Sequence, residues 1–229
     1  MSTDQPLFVI FAGANGSGKT TFAKKMLPEL GVEEFVNPDI IAQEEPAGKT
    51  VLEQALNSGA TALHKIGELI SVRKTFAAET TLAKAYLKII KQAQMSGYYV
   101  RMFYLFTGDP ALNKKRVKHR VQQGGHDVPE DTVDKLNILS LKNLTDLYWN
   151  RCEEISIYNS MGSEFLLAGH FVKGRTSKAE EKEILSVLRH QKERLMAEFK
   201  KAPKADELLP FFSRSIFRSG FLPAPNQEP

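Results

Sequence analysis

The segment "GANGSGKT", Gly13 to Thr20, follows directly on the apolar run "LFVIFA" (7–12). That junction constrains the fold more than any other feature of the chain. Gly13-x4-Gly18-Lys19-Thr20 is the phosphate-loop pattern, which requires a strand before it and a helix after it. Gly13, Gly16 and Gly18 let the backbone bend so that successive N–H groups face one anion. The helix that follows aims its positive end at the same point. Lys19 is expected to reach the β- and γ-phosphates of ATP, and the Thr20 hydroxyl to ligate Mg²⁺. The nucleotide cradle is therefore assigned to Gly13, Ala14, Asn15, Gly16, Ser17, Gly18, Lys19, Thr20 and Thr21. A second Gly-Lys-Thr, Gly48 to Thr50, has Gln43 where the pattern needs glycine, and no strand leads into it. It reads as a loop that starts a helix.

Short apolar runs alternate with longer amphipathic stretches. Strands are expected at 7–12, 34–37, 74–79, 98–106 and 155–159, with helices at 19–30, 50–72, 81–96, 109–123 and 130–151. This alternation specifies an α/β fold of the P-loop NTPase kind: a mostly parallel sheet covered by helices on both faces. "EFLLAGHFV" (164–172) adds an edge hairpin. One charged helix with apolar positions at Ile184, Leu188, Leu195 and Phe199 is expected over 177–201, packed on the body. The domain organisation that follows is a kinase-like domain over 1–173 with a helical lid at 109–151, a C-terminal helix over 174–201 and an irregular tail over 202–229.

Bulk properties narrow the setting. The 229 residues are 42% hydrophobic and carry a net charge of +4, a mild excess that suits an anionic ligand without demanding nucleic acid. One cysteine, Cys152, rules out an internal disulfide and fits a reducing cytoplasm. No stretch approaches the ~20 apolar residues that span a bilayer, and the first apolar run is wrongly flanked for a signal peptide. A cytoplasmic chain with no membrane partner is expected.

The phosphate loop leaves open what is done with the triphosphate. Motor ATPases carry an apolar strand ending in Asp-Glu, and GTPases an Asn-Lys-x-Asp base reader; neither occurs here. Instead, isolated acids close the next two expected strands: Asp39 in "FVNPD" and Glu79 in "TFAAET". Ligands of open α/β sheets bind outside the carboxyl ends of the strands, so both acids should face the crevice of the phosphate loop. A carboxylate there can orient a hydroxyl and accept its proton. Asp39 is the candidate base, while Glu79 would hold the acceptor. Each acid also has a plain alternative, Asp39 as a helix N-cap after Pro38 and Glu79 as a strand-end acid near the next helix start. The run "NKKRVKHR" (113–120) supplies five cations, with Arg116 and Arg120 four apart and hence on one helical face. The glycine break "GGH" (124–126) follows, so the segment reads as a lid closing over phosphates, the alternative being a solvated basic face. His126 is expected to order that loop. His64, His119 and His170 lack ligand-like company, so no metal beyond Mg²⁺ is expected.

Together these motifs resemble the zeta toxin family, especially its small bacterial members. The resemblance rests on "GANGSGKTTFAK" (13–24), "NPDIIA" (37–42), "FAAETTL" (76–82), "RVKHRVQQGGHDVPED" (116–131), "NLTDLY" (143–148) and "IYNS" (157–160), and covers residues 7 to 173. It implies an ATP-dependent kinase that phosphorylates a sugar hydroxyl of UDP-N-acetylglucosamine or a related UDP-sugar, within a toxin–antitoxin pair whose antitoxin would be a protein partner. Carried over by motif, Lys19 and Thr20 serve ATP and Mg²⁺, Asp39 activates the hydroxyl, Glu79 with Thr80 holds the acceptor, and Arg116 and Arg120 grip phosphates. After the Val-Pro pair, where small relatives carry arginines, this chain has only Lys135 and Lys142. A lysine does not reproduce the bidentate grip of arginine. Two other readings remain beside this one: a kinase of a nucleic-acid end or another metabolite, and an ATP-binding signalling module without phosphotransfer. Against nucleic acid, the cations sit in one short block with no aromatic residue to stack bases.

Overall fold

Strand β1 (Leu7–Gly13) is buried on both faces, which is why it is a continuous apolar run and not an alternating one. Its neighbours are β3 (Phe76–Thr80) on one side and β4 (Tyr99–Phe106) on the other, both parallel to it. With β2 (Glu34–Val36), β5 (Glu154–Asn159) and β6 (Leu166–Val172) they form one six-stranded sheet in the order β2-β3-β1-β4-β5-β6. Only β6 runs antiparallel, against β5. The structure is a computed structural model that describes residues 5–44, 51–125 and 128–200. The second Gly-Lys-Thr, His126 and the 202–229 tail lie outside the described residues.

The helices are α1 (Lys19–Leu30), α2 (Pro38–Glu44), α3 (Val51–Ser71), α4 (Tyr86–Met95), α5 (Pro110–Gln122), α6 (Glu130–Asn143) and α7 (Lys178–Lys200). They cover the two faces unequally. Val9, Phe11 and Phe103 point to one face and meet Phe22 and Ala23 of α1. Phe8, Ile10, Met102 and Ile155 point to the other, where Ile66 of α3, Ile90 of α4, Leu141 of α6 and Leu188 and Leu195 of α7 pack together. The mixed α/β fold with a mostly parallel sheet is thus the one the alternation of segments specifies. Among the described residues no helix is long and apolar enough to cross a membrane.

Two expected helices are shorter than their patterns. The 81–96 stretch becomes helical only at Tyr86, because Leu82 takes φ 63°. Its N–H bonds to the Thr80 hydroxyl at 3.0 Å and its carbonyl to the Asn143 amide at 2.8 Å, which fixes a turn where a helix could have begun. The 130–151 stretch stays α-helical to Asn143, then loosens into a π-helical turn over Leu144–Tyr148 and tightens into a 3-10 turn over Trp149–Arg151.

From β1 the chain travels to β2 and β3 on one side, then returns to β4 on the other. The carboxyl end of β1 is therefore the point where strand order reverses, the place open α/β sheets bind ligands.

Candidate active site

The loop between β1 and α1 bends through positive φ at Gly13 (142°), Gly16 (78°) and Gly18 (87°), and α1 starts at Lys19. Two of these glycines are also demanded by space. A Cβ on Gly13 would strike the carbonyl of Leu105 at the end of β4, and one on Gly16 the backbone of Asn113 in α5. The loop is thus held between a strand end and a helix. Ser17 is buried, and both its hydroxyl and the Asn15 Oδ1 are buried without a protein partner. The Phe165 ring lies against Gly18 and packs edge-on to Phe22, closing the outer side. Thr21 is exposed in the first turn of α1.

Glu79 is the centre of the constellation. It is only 6% exposed, level with Phe11 on the strand beside the phosphate loop. Its Oε2 accepts the Thr20 hydroxyl and the Asn37 amide, each at 2.8 Å, while Oε1 lies 3.7 Å from the Lys19 ammonium. Lys19 itself is 7% exposed and donates to the Ala14 carbonyl at 2.9 Å. Burial pushes the Glu79 carboxyl up from its ordinary pKa, against the pull of Lys19 and the Thr20 hydrogen bond. Burial likewise pulls the Lys19 ammonium down, against the carboxylates of Glu79 and Asp39. Both groups are held where removal from water penalises their charges. Thr80, 6% exposed, spends its hydroxyl on the Leu82 N–H.

Asp39 lies in the first turn of α2, beyond the end of β2. The helix-cap alternative falls to its neighbour: the Asn37 Oδ1 accepts the Asp39 N–H at 2.8 Å. The Asp39 carboxylate is left for Arg120, whose Nη1 stands 3.2 Å from Oδ2, and it is close enough for its charge to act on Lys19. Glu79 does stand at the end of β3, but buried and partnered with Thr20, Asn37 and Lys19.

Arg116 and Arg120 of α5 face the loop. Arg116 reaches the Gly16 carbonyl at 3.5 Å and donates to the Met161 and Gly162 carbonyls at 3.2 and 3.4 Å. Arg120, one turn on, makes the Asp39 contact. Asp109 caps α5, accepting the Ala111 N–H at 2.8 Å. Lys19, Thr20, Asp39, Glu79, Arg116 and Arg120 therefore lie around the phosphate loop, linked by the Lys19–Glu79, Thr20–Glu79, Asp39–Arg120 and Arg116–Gly16 contacts.

Two residues escaped the sequence reading, Asn37 and Asn113. Their position next to recognised residues was the only signal, and side-chain amides have no distinctive chemistry in a sequence. A separate cavity of about 890 Å³ lies between α7 and the β5–β6 ladder, with Gly108 and Met161 on its rim. Lys19, Asp39, Glu79 and Arg120 do not line it, so it is not part of this constellation.

The cradle suits a triphosphate with a divalent cation. The Thr20 hydroxyl and the Glu79 carboxylate are hard oxygen donors within 2.8 Å of each other, and Mg²⁺ binds through one or two protein oxygens plus phosphates and waters.

Comparison with known proteins agrees with this architecture. An uncharacterized protein of Haemophilus influenzae is 28% identical over 127 residues, 55% of this chain and 88% of that one. A structure from the PezAT chromosomal toxin–antitoxin system of Streptococcus pneumoniae superposes with a TM-score of 0.53 at 19% identity, covering 86% of this chain and 89% of that one. The AvrRxo1-ORF1:-ORF2 complex with ATP gives a TM-score of 0.60 at 18% identity, over 80% of this chain and 64% of that one. At such identities the likeness is one of fold. Residues 8–138, more than half the chain, match the model of the AAA domain family, and the chain belongs to that family.

Proposed function

We propose that this protein is an ATP-dependent kinase that transfers the γ-phosphoryl group to a sugar hydroxyl of a UDP-N-acetylhexosamine. The observation that carries the kinase reading is that Lys19 pairs with Glu79 beside the phosphate loop while Asp39, paired with Arg120, lies close enough for its charge to act on both. The UDP-sugar rests on the zeta-toxin-like motifs, and a toxin role with an antitoxin partner draws support from the fold shared with the PezAT structure. ATP draws support from the loop itself and from the ATP-bound AvrRxo1 complex of like fold.

In this reading the loop amides and Lys19 hold the β- and γ-phosphates. Asp39 accepts the proton of the acceptor hydroxyl as its oxygen forms a bond to the γ-phosphorus. The bond from that phosphorus to the β–γ bridging oxygen breaks, and ADP departs with the electron pair. Arg116 and Arg120 balance the charge on the moving phosphoryl group. Glu79 and Thr80, at the end of β3, border the acceptor, and Glu79 also seats the Thr20 hydroxyl. A magnesium ion, held through Thr20 with Glu79 behind it, would neutralise phosphate charge when bound.

The test is ADP release and mass spectrometry of small metabolites after incubation with ATP and Mg²⁺. UDP-N-acetylhexosamines are expected to stimulate ADP release and to gain one phosphate. Lys19→Ala and Asp39→Ala are expected to lower turnover by ~10²-fold or more, with the Asp39 variant still binding ATP. ADP release stimulated only by other metabolites or by nucleic-acid ends would remove the UDP-sugar and keep the kinase.

A further inference from the structure

The residue that joins the phosphate loop to the helical pair α5–α6 is one the motifs pass over. Asn113 is fully buried in the first turns of α5. Its backbone packs on Gly16, in the space a Cβ there would fill. Its side-chain Oδ1 accepts the Thr107 hydroxyl at 3.0 Å, just beyond the end of β4, and its Nδ2 donates to the Asn137 Oδ1 of α6 at 2.7 Å. Asn137, 3% exposed, passes its own amide to the Val133 carbonyl at 2.9 Å, so the chain of buried amides ends satisfied. One side chain thus ties the sheet to both helices of the pair while its main chain touches the cradle.

Rotation is what such a tie controls. Asn113, Arg116 and Arg120 stand at i, i+3 and i+7, one stripe of α5. Turning α5 by a single residue position would carry that stripe ~100° around the axis, taking Arg120 off Asp39 and Arg116 off the Gly16, Met161 and Gly162 carbonyls. The Lys114–Asp134 ion pair at 3.1 Å also links α5 to α6, but both partners are part-exposed, and such pairs fix geometry weakly. Buried, fully partnered amides specify it strongly, because any other setting strands a polar group away from water.

We propose that Asn113 is the positioning residue of the lid: it sets the rotation of α5 and thereby places Arg116 and Arg120 over the transferred phosphoryl group. The inference rests on the kinase reading for what the arginines do, but not for where they are held. It also gives Gly16 a second task, since a side chain there would lift α5 as well as spoil the cradle.

The experiment compares the full chain with Asn113→Ala and Asn137→Ala at temperatures where thermal melts show each folded. Hydrogen exchange of residues 113–122 is read against that of β1 and β4. Both variants are expected to lose protection in α5 at least ~10-fold more than in the strands, the Asn137 variant less than the Asn113 variant. In phosphotransfer, Asn113→Ala is expected to lower kcat ~10²-fold, the scale of a misplaced catalytic group, with KM for ATP changed less than ~3-fold. Combining it with Arg120→Ala should lose less than the product of the two single losses, since Asn113 acts in part through the Arg120 guanidinium. Unchanged α5 protection in both variants overturns the proposal, as does a full multiplicative loss in the double variant. If the wild-type protein transfers no phosphate, the kinase reading fails by itself, and hydrogen exchange still decides whether Asn113 holds α5.

Discussion

A carboxylate buried beside a lysine titrates unlike one in water, and Glu79 is such a group. Its carboxyl is raised above the ordinary 4.5 by burial. Between that value and the raised one, the folded chain keeps a proton that the unfolded chain has released. Stability therefore falls as pH rises through this window, and below it the penalty is absent. Glu79→Gln cannot ionise, so its melting temperature should lack that fall. Thermal melts of both proteins from about pH 4.5 to neutrality measure the difference in slope; parallel curves would refute the raised carboxyl. Leu82 offers a second test. It is fully buried at φ 63°, a region that costs a side-chain-bearing residue ~1–2 kcal/mol. Leu82→Ala should destabilise by ~2–5 kcal/mol through the lost core contacts. Leu82→Gly should be no worse than Leu82→Ala, reversing the usual order of the two residues. Urea midpoints decide the ranking.

At the scale of elements, the sequence gives up its secrets unevenly. β1 and α1 are legible to within a residue, because an apolar run, three glycines and a helix start follow one another with no competing signal. The 81–85 turn is not, since residues 81–96 read as one amphipathic pattern. What prevents an earlier helix is a pair of hydrogen bonds to Leu82, one from the distant Asn143. The same holds for 144–151, where Tyr148 donates to the Ala83 carbonyl at 2.6 Å and the helix gives way to fit it. Asp39 shows the local version of this limit. Its place after Pro38 allows both a cap and a base, and the Asn37 side chain, by taking the cap, removes the first of these.

For the whole molecule, α7 is part of the body. Leu188 and Leu195 enter the main core, the Trp149 indole donates to Glu181 at 2.9 Å, and Lys192 pairs with Asp146 at 3.2 Å. Arg194 donates to the Gly108 carbonyl at 2.6 Å, at the turn that leads into α5. Leu195→Ala should therefore cost ~2–5 kcal/mol in global stability and shift a single cooperative urea transition. Loss of α7 structure in a separate, earlier transition would instead make it an appendage.

The sequence by itself determined the phosphate loop, the strands that run through the core and the identities of the charged groups around the cradle. These follow from local rules: backbone freedom at glycine, burial of apolar runs and helical spacing. Only the tertiary structure decided that Glu79 backs Thr20, that Asn37 frees Asp39, and that Asn113 locks α5 against Gly16. Each of those is a contact between residues 59 to 97 positions apart or a choice between two local partners, and side-chain geometry of that kind exists only once the chain has folded.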